Sequence, residues 1–325
     1  MRIAMRCHLL LVTVQAGLLL LALEELAAPC HAQAKPASPA LKAVPIITRL
    51  ESAVAAKDKF VAEDMLAELE TLMPGDPRMA GLRARVGALP GPKRNLDVNL
   101  GAGVTMPFVL VRPGSFMMGS ERSIEMRPVH EVTIPKAFYM GKYEVTQEQW
   151  ETVMGSNPSN FKGAKMPVEQ VNWEDCQNFI SKLNEKLPGR RFRLPTEAEW
   201  EHACRAGSTN DYCFGNGETG LREHAWYIGN ADKMPHAVGE KKPNAWGLYD
   251  MHGNVWEWCQ DAYHPNYMDA PVDGSAWTQG GETNRVLRGG SWYSEAYVLR
   301  SANRGRPNFG YRGIVYGLRP VLEAP

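Results

Sequence analysis

The sequence carries no excess charge of either sign: 36 Lys and Arg stand against 36 Asp and Glu in 325 residues. Phosphate binding needs a basic face, so this balance excludes a nucleic-acid partner from the expected functions. No histidine pair is spaced HxxxH or HExxH, which removes the parts of the histidine-ligated iron and zinc enzymes. No CxxC occurs, and no cysteine follows Cys259, so a structural zinc site is not expected either. Long runs of one charge are absent. Beyond the first few dozen residues no apolar run reaches the roughly 20 residues that span a bilayer.

What is there begins with an export signal. Arg2 and Arg6 form a positive start, Leu9 to Leu23 is apolar, and Ala32-Gln33-Ala34 is a small-x-small cleavage site. Residues 1–34 read as a signal peptide, and the mature chain is expected to be periplasmic or extracellular with no transmembrane segment. An uncleaved anchor and lipid attachment at Cys30 are the weaker alternatives. Cleavage removes Cys7 and Cys30 and leaves Cys176, Cys204, Cys213 and Cys259. Four cysteines in an oxidising compartment permit disulfides; buried free thiols are the equal alternative, and the pairing stays open.

Residues 35–92 read as a linker and a helical hairpin. Lys35 to Ala43 is rich in Ala and Pro. Apolar residues then recur at helical spacing from Ile46 through Leu72, Pro74-Gly75-Asp76-Pro77 turns the chain, and a second helix runs through Met79, Leu82, Val86 and Leu89. The pattern resembles a tetratricopeptide hairpin, too short to form a solenoid alone. It is expected to pack on the main domain or to dock a protein partner.

Leu89-Pro90-Gly91-Pro92 marks a boundary, and residues 93–325 have a different texture of short apolar runs between Gly, Pro and Asn. Phe108–Val111, Phe116–Gly119, His130–Ile134 and Phe138–Gly141 read as strands. Helices are expected to start at Thr146, at Trp173 and at Thr196, where Glu199 completes a capping pattern. Beyond Cys204 the chain reads mostly as loop. Short strands, few helices and extensive loops make an α+β fold.

Several strings resemble one family. Phe116-Met117-Met118-Gly119-Ser120, Pro128-Val129-His130-Glu131-Val132 and Tyr143-Glu144-Val145-Thr146 come first. Arg193-Leu194-Pro195-Thr196-Glu197-Ala198-Glu199-Trp200-Glu201 follows, then Gly247 to Trp258, Arg288-Gly289-Gly290-Ser291-Trp292 and Gly317-Leu318-Arg319-Pro320. In this order they are similar to the formylglycine-generating enzyme (sulfatase-modifying factor) family, over roughly Pro107 to Val321. The resemblance implies a C-type-lectin-like fold with little regular secondary structure.

It also implies chemistry, and here the chain departs. The family's oxidase binds copper(I) through two cysteines downstream of the Arg-Gly-Gly-Ser string. Those positions fall on Ser294 and Leu299, neither of which offers the soft thiolate that copper(I) needs. No copper is expected. The resemblance places Trp256, Ser291 and Arg300 in the substrate groove with Ser294. Arg300, Arg304 and Arg306 either line that groove or hold loops. It further implies a calcium ion at Asp250, Gly253, Val255 and Glu257, where carboxylates and backbone carbonyls suit a hard cation. A second calcium loop is not expected, because Trp226 stands where an Asn ligand belongs. The leading expectation is a non-copper binding or accessory module for a peptide, glycan or protein partner. An oxidoreductase of another type in the same groove comes second, and a sulfatase-activating oxidase last.

Overall fold

The structure is a computed structural model that describes residues 38–280 and 284–324. The expected signal peptide lies outside the described residues. The chain divides between Gly91 and Pro92 into two compact units.

The first unit has three helices, α1 (Pro39–Ala55), α2 (Lys59–Leu72) and α3 (Arg78–Gly87). Two expectations are corrected. The stretch read as linker is helical from Pro39, because the Ser38 hydroxyl caps that end by accepting from the Leu41 amide. The helix read as continuous to Leu72 is broken after Ala55. Lys57 takes a positive φ of 57°, and the Asp58 carboxylate starts a new helix by accepting from the Val61 amide. The break folds α1 back on α2. Ala43, Ile47 and Leu50 then meet Ala62, Met65, Leu69, Leu82 and Val86 in a separate apolar core.

The second unit is built on a five-stranded antiparallel sheet in the order β1-β2-β5-β10-β6, comprising β1 (Asn95–Gly101), β2 (Val104–Val111), β5 (Phe138–Gly141), β10 (Val321–Glu323) and β6 (Phe192–Arg193). Strand β1 was not expected from the sequence; its only buried apolar positions are Val98 and Leu100. A hairpin pairs β3 (Gly114–Met118) with β4 (His130–Ile134). A third sheet places β7 (Trp256–Ala262) between antiparallel β8 (Arg285–Arg288) and parallel β9 (Tyr316–Gly317). The helices are α4 (Gln147–Met154), α5 (Trp173–Lys186), α6 (Glu197–Arg205) and α7 (Leu221–His224). Thr146, Asn172 and Thr196 start the first three with reciprocal capping boxes, as their side-chain chemistry dictates. Loops make up most of the chain after α6, so the unit is α+β with little regular structure.

A loop-rich core needs polar anchors. Helix α6 buries its Glu197 and Glu201 instead of showing them to solvent. Glu201 pairs with Arg288 and Arg205, and Glu197 with Arg304. These pairs hold β8 and the 300s loop to α6. Arg304 also donates to the Glu125 and His264 carbonyls. It is therefore one of the loop-holding arginines.

Candidate functional site

The loop that carries Ser294 and Leu299 is set by a glycine pair. After β8, Gly289 and Gly290 have φ of 95° and 78°. A Cβ on Gly290 would sit 3.1 Å from Leu299 Cδ1, and one on Gly289 3.2 Å from Trp200. The pair lets the chain lie close over Trp200 and admits Leu299 beneath it. Leu299 is fully buried in an apolar cluster with Tyr212, Leu221, Ala225 and Ala296. Its carbonyl accepts from His252 Nδ1 at 2.8 Å. His252 Nε2 accepts in turn from the Cys213 amide at 3.1 Å, so this imidazole is the neutral Nδ1–H tautomer and staples two loops.

Ser294 lies in a tight turn with Ser291. Its amide donates to the Ser291 carbonyl (3.0 Å), its hydroxyl accepts from the Ser291 amide (3.0 Å), and the two hydroxyls are 3.1 Å apart. Among the described residues neither hydroxyl bonds to an imidazole or a carboxylate, so nothing activates Ser294 as a nucleophile. The four cysteines among the described residues are free thiols. Burial pushes the Cys204 thiol up to about 12 and raises those of Cys176 and Cys259 well above the usual range. These three are held as thiols and supply no thiolate.

The other groove residues separate. Trp256 is half-buried beside Gly305, where a Cβ would come within 3.3 Å of its ring. Arg300 turns toward Asp211, with Nε 3.5 Å from Oδ2. Ser291 and Ser294 therefore share one turn, while Arg300 lines a different wall. Arg306 is mostly exposed and lies 3.6 Å from Glu125.

The calcium set splits in the same way. Asp250 Oδ2 accepts from the Gly239 amide at 2.7 Å, and Oδ1 is buried with no partner. Burial pushes the Asp250 carboxyl up to about 6. An orphaned buried carboxylate oxygen fits a cation ligand. Glu257 does not fit in this arrangement, because its oxygens accept from Trp200 Nε1 (2.6 Å) and from Arg319 (2.6 and 3.0 Å). Among the described residues no group of three or more His, Cys, Asp or Glu is placed to hold a metal ion. Trp226 stacks on His236 at 3.7 Å and carries Lys241 Nζ over its ring at 3.6 Å.

Three important residues stood in recognised strings, yet no sequence signal gave their roles. Glu144 is buried and accepts from the Val255 amide and the Asn254 side chain; burial, then the nearby Asp250, raises its carboxyl well above the usual range. His252 and Arg319 lay in recognised strings, but nothing local to them announces the partners they reach across 47 and 62 residues.

The comparisons with known proteins agree with this frame. Residues 102–324 match the profile of the sulfatase-modifying factor enzyme 1-like domain. The chain is 32% identical over 236 residues to the chaperone protein LppX of Paenibacillus barcinonensis, covering 57% of this chain and 79% of that one. It is 30% identical over 197 residues to the formylglycine-generating enzyme of Streptomyces coelicolor, covering 50% of this chain and 59% of the enzyme. The structure of PvdO from Pseudomonas aeruginosa superposes with a TM-score of 0.65 at 30% identity, over 72% of this chain and all of PvdO. With the profile spanning more than half its length, the chain belongs to the sulfatase-modifying factor (formylglycine-generating enzyme-like) family.

Proposed function

We propose that the protein is an exported binding or accessory module on the formylglycine-generating enzyme scaffold, acting on a peptide, glycan or protein partner without copper chemistry. The observation that carries this reading is the pair of residues at the cysteine positions. Ser294 is a hydroxyl tied into a turn, and Leu299 is a fully buried apolar side chain. Copper(I) has no soft ligand there. A relative named a chaperone, LppX, supports an accessory role for this kind of domain. The helical unit supplies a second surface for a protein partner. A calcium ion, held through Asp250 and the carbonyls of Gly253 and Val255, is the metal part of the proposal. Its support is the orphaned Asp250 oxygen, and Glu257 joins only if it leaves Arg319. Calcium there would be a structural cation beside a buried carboxylate.

The test incubates the mature protein with copper, reductant and a cysteine-containing sulfatase peptide, read by mass. No conversion to formylglycine is expected. The double variant Ser294→Cys, Leu299→Cys should gain tight copper(I) binding that neither single variant shows. Formylglycine made by the unmodified protein, free of contaminating enzyme, would overturn the reading.

A further inference from the structure

Away from the Ser291–Ser294 turn lies a cavity of about 340 Å³, inside the range of small-molecule sites. One wall is apolar, from Phe116 on β3 with Met126 and Val129. The lining also carries polar groups, from Thr209 and Asp211 in the loop after α6 and from Arg300. Trp256, Ser291 and Ser294 take no part in it.

The Asp211 carboxylate is already engaged by Arg122, which donates from Nε at 2.9 Å and from Nη2 at 2.7 Å. Arg300 Nε reaches the same carboxylate only at 3.5 Å and is buried with no hydrogen-bond partner. Two guanidinium groups thus share one carboxylate, and Arg300 is the one of the two that lines the cavity. Arg205, also on the lining, is saturated by Glu201, the Asn210 carbonyl and the Gly119 carbonyl. Arg300, which also meets the Tyr212 side chain, is therefore the arginine on this lining that keeps a donor, Nε, without a hydrogen-bond partner. A planar guanidinium beside an apolar wall selects a carboxylate carried on an apolar body, because the fork geometry matches a carboxylate and burial strengthens a charged hydrogen bond.

We propose that this cavity binds the free carboxylate end of an apolar amino acid or short peptide, with Arg300 on the carboxylate and Phe116, Met126 and Val129 around the side chain. The proposal rests on the binding-module reading only in taking the chain to hold a ligand. Copper turnover by the unmodified protein sinks that reading, whereas the outcomes below sink this one.

The test titrates the full mature chain with N-acetylphenylalanine and, separately, with its uncharged amide, by calorimetry. The acid is expected to bind about tenfold more tightly than the amide, the worth of one charge-assisted hydrogen bond. Arg300→Gln should bring the acid down to the amide's affinity with the melting temperature preserved. Phe116→Ala should weaken both probes alike. Equal affinity of the unmodified protein for acid and amide, no binding of either at millimolar concentration, or retention of the acid preference in Arg300→Gln would each overturn the proposal.

Discussion

Leu299 and Glu197 show how much a single buried side chain decides here. Leu299 offers a metal no ligand atom and fills its place with apolar packing. Glu197 bonds to Arg304 at 2.6 and 2.9 Å and to the Tyr267 hydroxyl at 2.9 Å. Burial alone would raise its carboxyl, but Arg304 and Arg288 hold it below the ordinary value. A folded pKa below the unfolded one, about 4.3, means the stabilisation is complete above that value and is lost as pH falls through the folded pKa. Glu197→Gln leaves Arg304 buried without its carboxylate, which costs about 3–5 kcal/mol at pH 7. Urea unfolding should show that loss at neutral pH, and it should show a shallower decline in acid than the unmodified protein. An unchanged neutral stability would mean the Glu197–Arg304 pair contributes nothing net.

Among the elements, helix starts are the most legible. Thr146, Asn172 and Thr196 each begin a helix because a short polar side chain satisfies free amides at that end, a purely local effect. The hairpin helices were less legible, since the break rests on a positive φ at Lys57 that its side chain does not announce, beside the local Asp58 cap. The turn before β7 is different again. Asp250 and Asn254 take φ of 58° and 57°, and Gly253 takes 115°. A Cβ on Gly253 would lie 2.2 Å from the Trp226 carbonyl, so the turn closes only with glycine there. This element carries the calcium prediction. Calcium at about one hundred times its dissociation constant should stabilise the protein by about 2.7 kcal/mol, seen as a higher melting temperature than in chelator. Asp250→Ala should abolish the increment. A melting temperature indifferent to calcium would remove calcium from the proposal.

For the whole molecule, the division between Gly91 and Pro92 leaves each unit with its own apolar core. Residues 92–325 expressed alone should therefore unfold cooperatively in denaturant, with a smaller m-value than the full chain because less surface is exposed. An insoluble product, or one without a cooperative transition, would show that the helical unit is needed for the fold. Among the described residues no helix is long and apolar enough to cross a membrane.

The sequence by itself determined the family, the α+β class, the helix starts and the lack of any cysteine after Cys259, because each is written in a contiguous string or at one position. Tertiary structure decided what those strings do. Ser294 bonds Ser291, Glu257 meets Arg319, and Arg300 lines a cavity together with Asp211. Each of the last two outcomes depends on which side chain arrives from a distant segment, 62 residues apart for Glu257 and Arg319 and 89 for Asp211 and Arg122, which engages it beside Arg300. Burial then sets the charge balance at the contact, and neither spacing nor composition encodes it.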